Sequence, residues 1–256
     1  MRITVVGGTG LIGTKVVERL RRSGHDAVVA ARATGVDAYT GEGLAAALAG
    51  ADAVIDVSNS SYVDEAAARE YFYAATLNLI TYGAALGIPH HVALSVVGTD
   101  RLARAQGGYF IAKAEQERLI TTSRRPFSLV HSTQFFEFVR HITDAAMREG
   151  AAHVADVLIR PIAGDDVAAA LVRTAVGSPT GEVREIAGPD IFELGELARL
   201  ELRRHRDERE VVPDPLGTYF GARLSRTDLL PGPRAGIAPT RFRAWLDEQQ
   251  KTMLPI

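Results

Sequence analysis

Glycines at positions 7, 10 and 13 sit between a short β-branched run, Ile3 to Val6, and a helical apolar pattern through Val16, Val17 and Leu20. That pattern stops at Ser23 and Gly24, and a second apolar run, Ala27 to Ala31, follows it. Strand, glycine turn, helix and strand in this order form the context that a dinucleotide-binding loop requires. The first glycine lets the chain turn off the strand, the middle one leaves room for a pyrophosphate, and the last lets helix and strand touch. The phosphates would rest on free backbone N–H groups at the positive end of the helix. Thr9, Leu11 and Ile12 share this loop and are expected beside the same ligand.

The end of the second strand bears on which dinucleotide is bound. An Asp or Glu there holds the ribose hydroxyls of NAD and repels a 2′-phosphate. The sequence offers Arg32 instead, a planar fork of donors suited to phosphate. NADP(H) is therefore expected ahead of NAD(H), with a solvated surface arginine as the alternative reading of Arg32.

A short helix over 41–50 then leads to a strand over 53–57, which gives way to Ser58, Asn59 and Ser60. Small polar residues at a strand end mark the ligand-binding edge of open α/β sheets, so Ser58 and Asn59 are candidate cofactor neighbours. Capping of the next helix explains them nearly as well. That helix, over 64–86, has an acidic first turn and is closed by Gly87 and Pro89. Tyr71, Phe72, Tyr73, Leu77, Leu79 and Ile80 spread over more than one of its sides. A helix on one face of a sheet needs a single apolar stripe, so the surplus points to a homodimer through this helix.

A strand over 91–96 brings Ser95 near its C-terminal end, and the next helix carries Tyr109 and Lys113 four positions apart on one face. Lys15, Lys113 and Lys251 are the only lysines, so the pairing stands out. A neighbouring ammonium makes a phenol a better base, and hydride transfer at an oxygen-bearing carbon needs a matching proton transfer. The Ser95 hydroxyl can steady the oxygen while its charge changes. The plainer reading is a packed tyrosine and a solvated lysine.

With 256 residues, 46 % of them hydrophobic, the chain can bury a large core. Its 29 basic and 31 acidic residues give no long-range attraction for nucleic acid. Cysteine is absent, which excludes disulfides, thiolate nucleophiles and cysteine metal sites, and the histidines show no metal-binding spacing. No apolar run reaches the length of a membrane span, and the first residues already form a core strand, so a cytoplasmic protein is expected.

The stretches GGTGLIG, VIDVSN, ATLNL, SVVG, YFIAK and HSTQFFEF resemble those of the short-chain dehydrogenase/reductase superfamily, in particular its atypical, NmrA-like or NAD(P)H-binding branch. The resemblance is strongest over residues 1–170. It implies that Gly7, Gly10 and Gly13 bind the cofactor phosphates, that Arg32 reads the NADP 2′-phosphate, and that Tyr109, Lys113 and Ser95 form the catalytic set. Ser95 lies so near the strand that its side chain could face the core, leaving Thr99 as an alternative hydroxyl. The resemblance also places the substrate pocket partly after the strand that starts at Phe127. There His131, Thr133 and Gln134 are polar, while Phe135, Phe136 and Phe138 are aromatic. Cofactor contact by the HSTQ segment is equally consistent.

Farther on, Asp165 and Asp166 open a helix as cap and first-turn charge. A proline- and glycine-rich tail holds Tyr219 and Phe220, candidates for a substrate lid, and ends in a short helix around 242–246. The expected fold is α/β, a Rossmann-like doubly wound parallel sheet with a small C-terminal substrate-binding portion. Residues 1–130 would form the cofactor core; 131–256 would hold the remaining core elements, about 155–190, interleaved with the substrate-binding portion. The expected function is NADP(H)-dependent hydride transfer to or from a small carbonyl, alcohol or quinone. The alternatives are a non-catalytic NADP(H) sensor and an isomerase or epimerase with bound cofactor.

Overall fold

The computed structural model describes residues 1–62, 64–105 and 107–253. In the first half, β1 (Arg2–Val6), α1 (Leu11–Arg22), β2 (Asp26–Ala30), α2 (Leu44–Leu48) and β3 (Ala53–Asp56) precede the long α3 (Glu65–Ala85). There follow β4 (His91–Val96), α4 (Thr99–Arg104), α5 (Gly108–Thr122) and β5 (Phe127–Ser132). The chain then runs through α6 (Val139–Ala145), β6 (Met147–Arg148), β7 (Ala151–Ala155), β8 (Leu158–Ile159), α7 (Gly164–Val176) and β9 (Val183–Ala187). It continues as β10 (Phe192–Glu193), α8 (Leu194–Arg204), β11 (Val211–Asp214), β12 (Thr218–Tyr219), β13 (Ala222–Arg223), β14 (Gly236–Ile237) and α9 (Phe242–Met253).

Seven strands form one parallel sheet in the order β14-β9-β5-β4-β3-β1-β2. This is the expected Rossmann-like body. Its strands are apolar runs because helices cover both faces: Ile3, Val5 and Ile55 pack against Val16 and Leu20 of α1 and Leu171 of α7, all buried. On the opposite face α3 and α5 lie together, with Phe72 and Tyr109 in one apolar cluster. The direction of winding reverses between β1 and β3, so the C-terminal ends of these two strands open a crevice.

The apolar surplus of α3 divides between core and surface. Phe72 and Leu79 are buried, whereas Tyr73 and Leu77 are exposed. Asp64 caps the helix by accepting a bond from the Ala67 N–H at 2.9 Å. Asp165 and Asp166 both lie in the first turn of α7, as the expected charge there requires, but neither side chain caps it: Asp165 accepts from Lys15 Nζ of α1 at 2.7 Å, and Asp166 from the Thr240 N–H at 3.2 Å. Both carboxylates fasten neighbouring segments onto α7. Among the described residues no helix is long and apolar enough to cross a membrane.

Gly13 decides how closely α1 can approach β1. A Cβ added there would lie 2.1 Å from the Gly7 carbonyl oxygen, a backbone atom with no room to move. Gly13→Ala is therefore expected to lower stability by about 1–3 kcal/mol and to displace the loop. Urea unfolding measures the first effect and loss of dinucleotide binding the second.

Candidate active site

Both strand ends at the crevice are built from short-range necessity. Gly7 turns off β1 with φ +78°, and an added Cβ would strike the Ser58 backbone at 2.8 Å, so β1 and β3 stay close only with glycine here. Gly10 precedes α1, and a Cβ there would meet only the Gly7 carbonyl, at 3.3 Å. No side chain caps α1, which leaves its first N–H groups facing an open cradle. A pyrophosphate fits this cradle for the reasons that demand glycine.

The cradle opens into a cleft of about 950 Å³. Gly7, Thr9, Gly10, Leu11, Ile12, Arg32, Ser58 and Asn59 line it, as the sequence led one to expect, whereas Gly13, expected with them, is buried behind the Gly7 carbonyl and does not. Arg32 lies at the mouth, exposed, but Asp37 of the same loop and Glu70 of α3 line that mouth too. Their charge opposes a 2′-phosphate.

At the inner end, Tyr109 and Lys113 of α5 both reach the cleft. The Tyr109 hydroxyl donates to Asn59 Oδ1 at 2.8 Å, and Asn59 Nδ2 donates to the Tyr62 hydroxyl at 2.6 Å. Burial, reinforced by Tyr62, pushes the Tyr109 phenol well above its ordinary range, so it stays protonated at neutral pH. Lys113 Nζ donates to the Leu94 carbonyl at 2.9 Å and to Gln116 Oε1, and lies 4.6 Å from the centre of the Phe72 ring. Burial lowers Lys113 to about 8, against the pull of Asp56 and Glu117.

Asp56, Gln116 and Tyr62 escaped the sequence reading. Gln116 Nε2 donates to Asp56 Oδ2 at 3.0 Å, while Asp56 Oδ1 accepts from the Ser58 N–H at 2.9 Å and the Ser58 hydroxyl at 2.7 Å. A buried carboxylate at the end of β3 thus ties the cleft floor to the helix that carries Lys113. The signal available was a lone Asp ending a wholly apolar strand.

Three expectations need correction. Ser95 borders the cleft, but its hydroxyl donates to Glu117 and lies 3.3 Å from Thr99 Oγ1, because strand alternation turns it under α5. Thr99 is no substitute: it is buried and donates to the Val96 carbonyl at 2.6 Å. His131 shares that space, with Nε2 at 3.0 Å from Glu117 Oε1 though out of hydrogen-bond alignment, and does not line the cleft. Burial pushes the Glu117 carboxyl up, but His131 and Ser95 outweigh it and hold it below its usual range. Phe136 is wholly buried against Phe242 and Trp245. Gln134, Phe135, Tyr219 and Phe220, by contrast, do line the cleft.

Residues 3–130 match the family described as the NAD dependent epimerase/dehydratase family. The chain belongs to that family. Within the short-chain dehydrogenase/reductase superfamily this replaces the NmrA-like branch as its place. No curated protein matches the chain in sequence. Among solved structures it is similar to a nucleoside-diphosphate-sugar epimerase from Staphylococcus aureus, at 17 % identity over 96 % of this chain and 99 % of that one, TM-score 0.69. MoeE5 in complex with UDP-glucose and NAD is similar at 16 % identity, covering 99 % and 100 %, TM-score 0.73. WbmH from Bordetella bronchiseptica in complex with NAD⁺ is similar at 14 %, covering 96 % and 95 %, TM-score 0.68. At these identities the likeness is one of fold.

The family and these complexes overturn the expectation of NADP(H): the dinucleotide named with them is NAD. The two carboxylates at the mouth give the physical reason that Arg32 misled. The protein is an NAD(P)-dependent enzyme of the epimerase/dehydratase kind.

Because Asp56 holds up the charge of Lys113, Asp56→Asn lowers the Lys113 pKa further. NAD affinity titrated from pH 6 to 10 is expected to fall as pH rises through about 8, where Lys113 loses its proton, and this limb moves to lower pH in the variant. An unmoved limb would separate Asp56 from Lys113.

Proposed function

We propose that the protein is an NAD-dependent enzyme that reversibly oxidises a secondary alcohol carbon, the step from which epimerases and dehydratases proceed. The observation that carries this reading is the Tyr109 phenol, buried at the inner end of the glycine-loop cleft and fixed by Asn59 at 2.8 Å. NAD, when bound, supplies the hydride acceptor there and, once reduced, the donor. The neutral phenol suits proton donation to a carbonyl oxygen. Taking a proton from an alcohol needs positive charge nearby, and Lys113, one helical turn along, supplies it while protonated. Lys113 also fits a role in holding a ribose hydroxyl, with Gln116 fixing its direction.

Family membership favours return of the hydride within one turnover over the net reduction of a carbonyl or quinone. Inversion of a stereocentre with substoichiometric NAD, followed by proton NMR, is the expected result; NADH accumulating in step with substrate loss would assign net dehydrogenation. Tyr109→Phe is expected to lower kcat by about 10²- to 10⁴-fold, the usual contribution of a positioned acid–base group, with little change in NAD affinity. Full activity in that variant would remove Tyr109 from the chemistry.

A further inference from the structure

Apart from Lys113, charge is confined to one end of the cleft, where Tyr39 and Tyr71 also lie, and the other end is aromatic without it. The cleft's charged side chains other than Lys113 lie at the mouth, Arg32 and Asp37 after β2 and Glu70 on α3, and Lys113 is engaged by the Leu94 carbonyl and Gln116. The inner end is walled by Tyr62, Tyr109, Phe138, Tyr219 and Phe220. Tyr62 lies 4.5 Å from Tyr109, 4.8 Å from Phe138 and 5.4 Å from Phe220, centre to centre. A second cavity of about 360 Å³ shares four of these rings, and its charged lining residue among those described is an acid, Glu65.

Two polar side chains in this apolar end have no partner. Thr133 Oγ1 and both amide atoms of Gln134 are buried without a hydrogen bond, although the Gln134 amide comes near the Tyr219 phenol. Thr133 is 1 % and Gln134 6 % exposed, and both line the cleft. Buried polar atoms without partners are costly, and a bound ligand is the ordinary way to satisfy them.

One ring of this wall, Phe220, is held in a strained backbone conformation. Tyr219 pairs with Ala222, so Phe220 and Gly221 form a two-residue turn, and both have positive φ, 46° and 83°. Asn or Gly suits the first of these positions; a bulky aromatic does not. Its ring, 5.8 Å from Phe138 and 4.9 Å from Tyr219, completes the wall.

We infer that the substrate is an uncharged ring-shaped alcohol or ketone carrying no phosphate, held with its apolar faces against these aromatic rings and its oxygens on Gln134 and Thr133. Aromatic walls with a few directed polar groups suit such a molecule. A nucleoside diphosphate is held best by arginine or lysine at its phosphates, and among the described residues lining this end of the cleft the one such side chain, Lys113, is already engaged. The inference rests on the alcohol-oxidising reading for its substrate, but not for its test.

Calorimetry on the NAD-loaded enzyme with methyl glucopyranoside, cyclohexanol, glucose 1-phosphate and UDP-glucose compares rings with and without phosphate and requires no turnover. At least one uncharged ring is expected to bind about 10-fold or more tightly than either phosphorylated compound. Phe220→Ala is expected to weaken that ring about 5-fold or more with NAD affinity unchanged. Phe220→Asn, which relieves the turn, is expected to do the same in a protein at least as stable, which separates loss of the wall from loss of folding. Tighter binding of UDP-glucose or glucose 1-phosphate overturns the inference, as does failure of both uncharged rings to bind. Binding of an uncharged ring that is never oxidised would leave this inference standing and remove the proposed reaction instead.

Discussion

A single buried carboxylate, Asp56, sets the geometry on which the site depends. It ends β3 at the point where the winding of the sheet reverses, and its two oxygens accept three hydrogen bonds, two from Ser58 and one from Gln116. The first pair shapes the turn that carries Asn59; the third fixes Gln116, which in turn holds Lys113. An isolated buried charge is unfavourable, but here it is satisfied by donors on two different elements. The strand end and α5 therefore stay in a fixed relation, and Asn59 meets the Tyr109 hydroxyl as a result.

Around that anchor the cleft has two ends with different physics. At one, backbone N–H groups of the α1 N-terminus and the absence of side chains at Gly7 and Gly10 favour an anion, a demand met by local chain geometry alone. The other end is assembled from distant segments: Tyr62 before α3, Thr133 and Gln134 after β5, and the hairpin of β12 and β13. It is apolar because the rings pack on one another as well as on the space they enclose.

Much of the fold was legible because a parallel sheet covered on both faces reads as separate apolar runs, and each run from Ile3 to Val130 became a strand. The cleft's glycine loop and the Tyr109 and Lys113 pair were legible for a similar reason, since close spacing on one element fixes relative position. His131 was not, and Ser95 only as the alternative of a core-facing side chain, because being one residue out of phase in a strand turns a side chain beneath α5. Phe135 and Phe136 show the same effect, one lining the cleft and its neighbour sunk against Phe242. Arg32 misled since the charge at the mouth also depends on Asp37, in the loop that follows it, and on Glu70 of α3, which sequence distance hides. Asp56 was missed because nothing local shows that Gln116, 60 residues on, supplies a donor.

The central claim is that the loop after β1 and the Tyr109 end of the cleft act on one bound dinucleotide. A crystal structure of the protein with NAD tests it most directly. The pyrophosphate is expected on the N-terminus of α1 and the nicotinamide ring beside Tyr109, with open space between that ring, the Tyr109 hydroxyl and Gln134. A nicotinamide directed away from Tyr109, or a dinucleotide bound elsewhere than at Gly7 to Gly13, would contradict it.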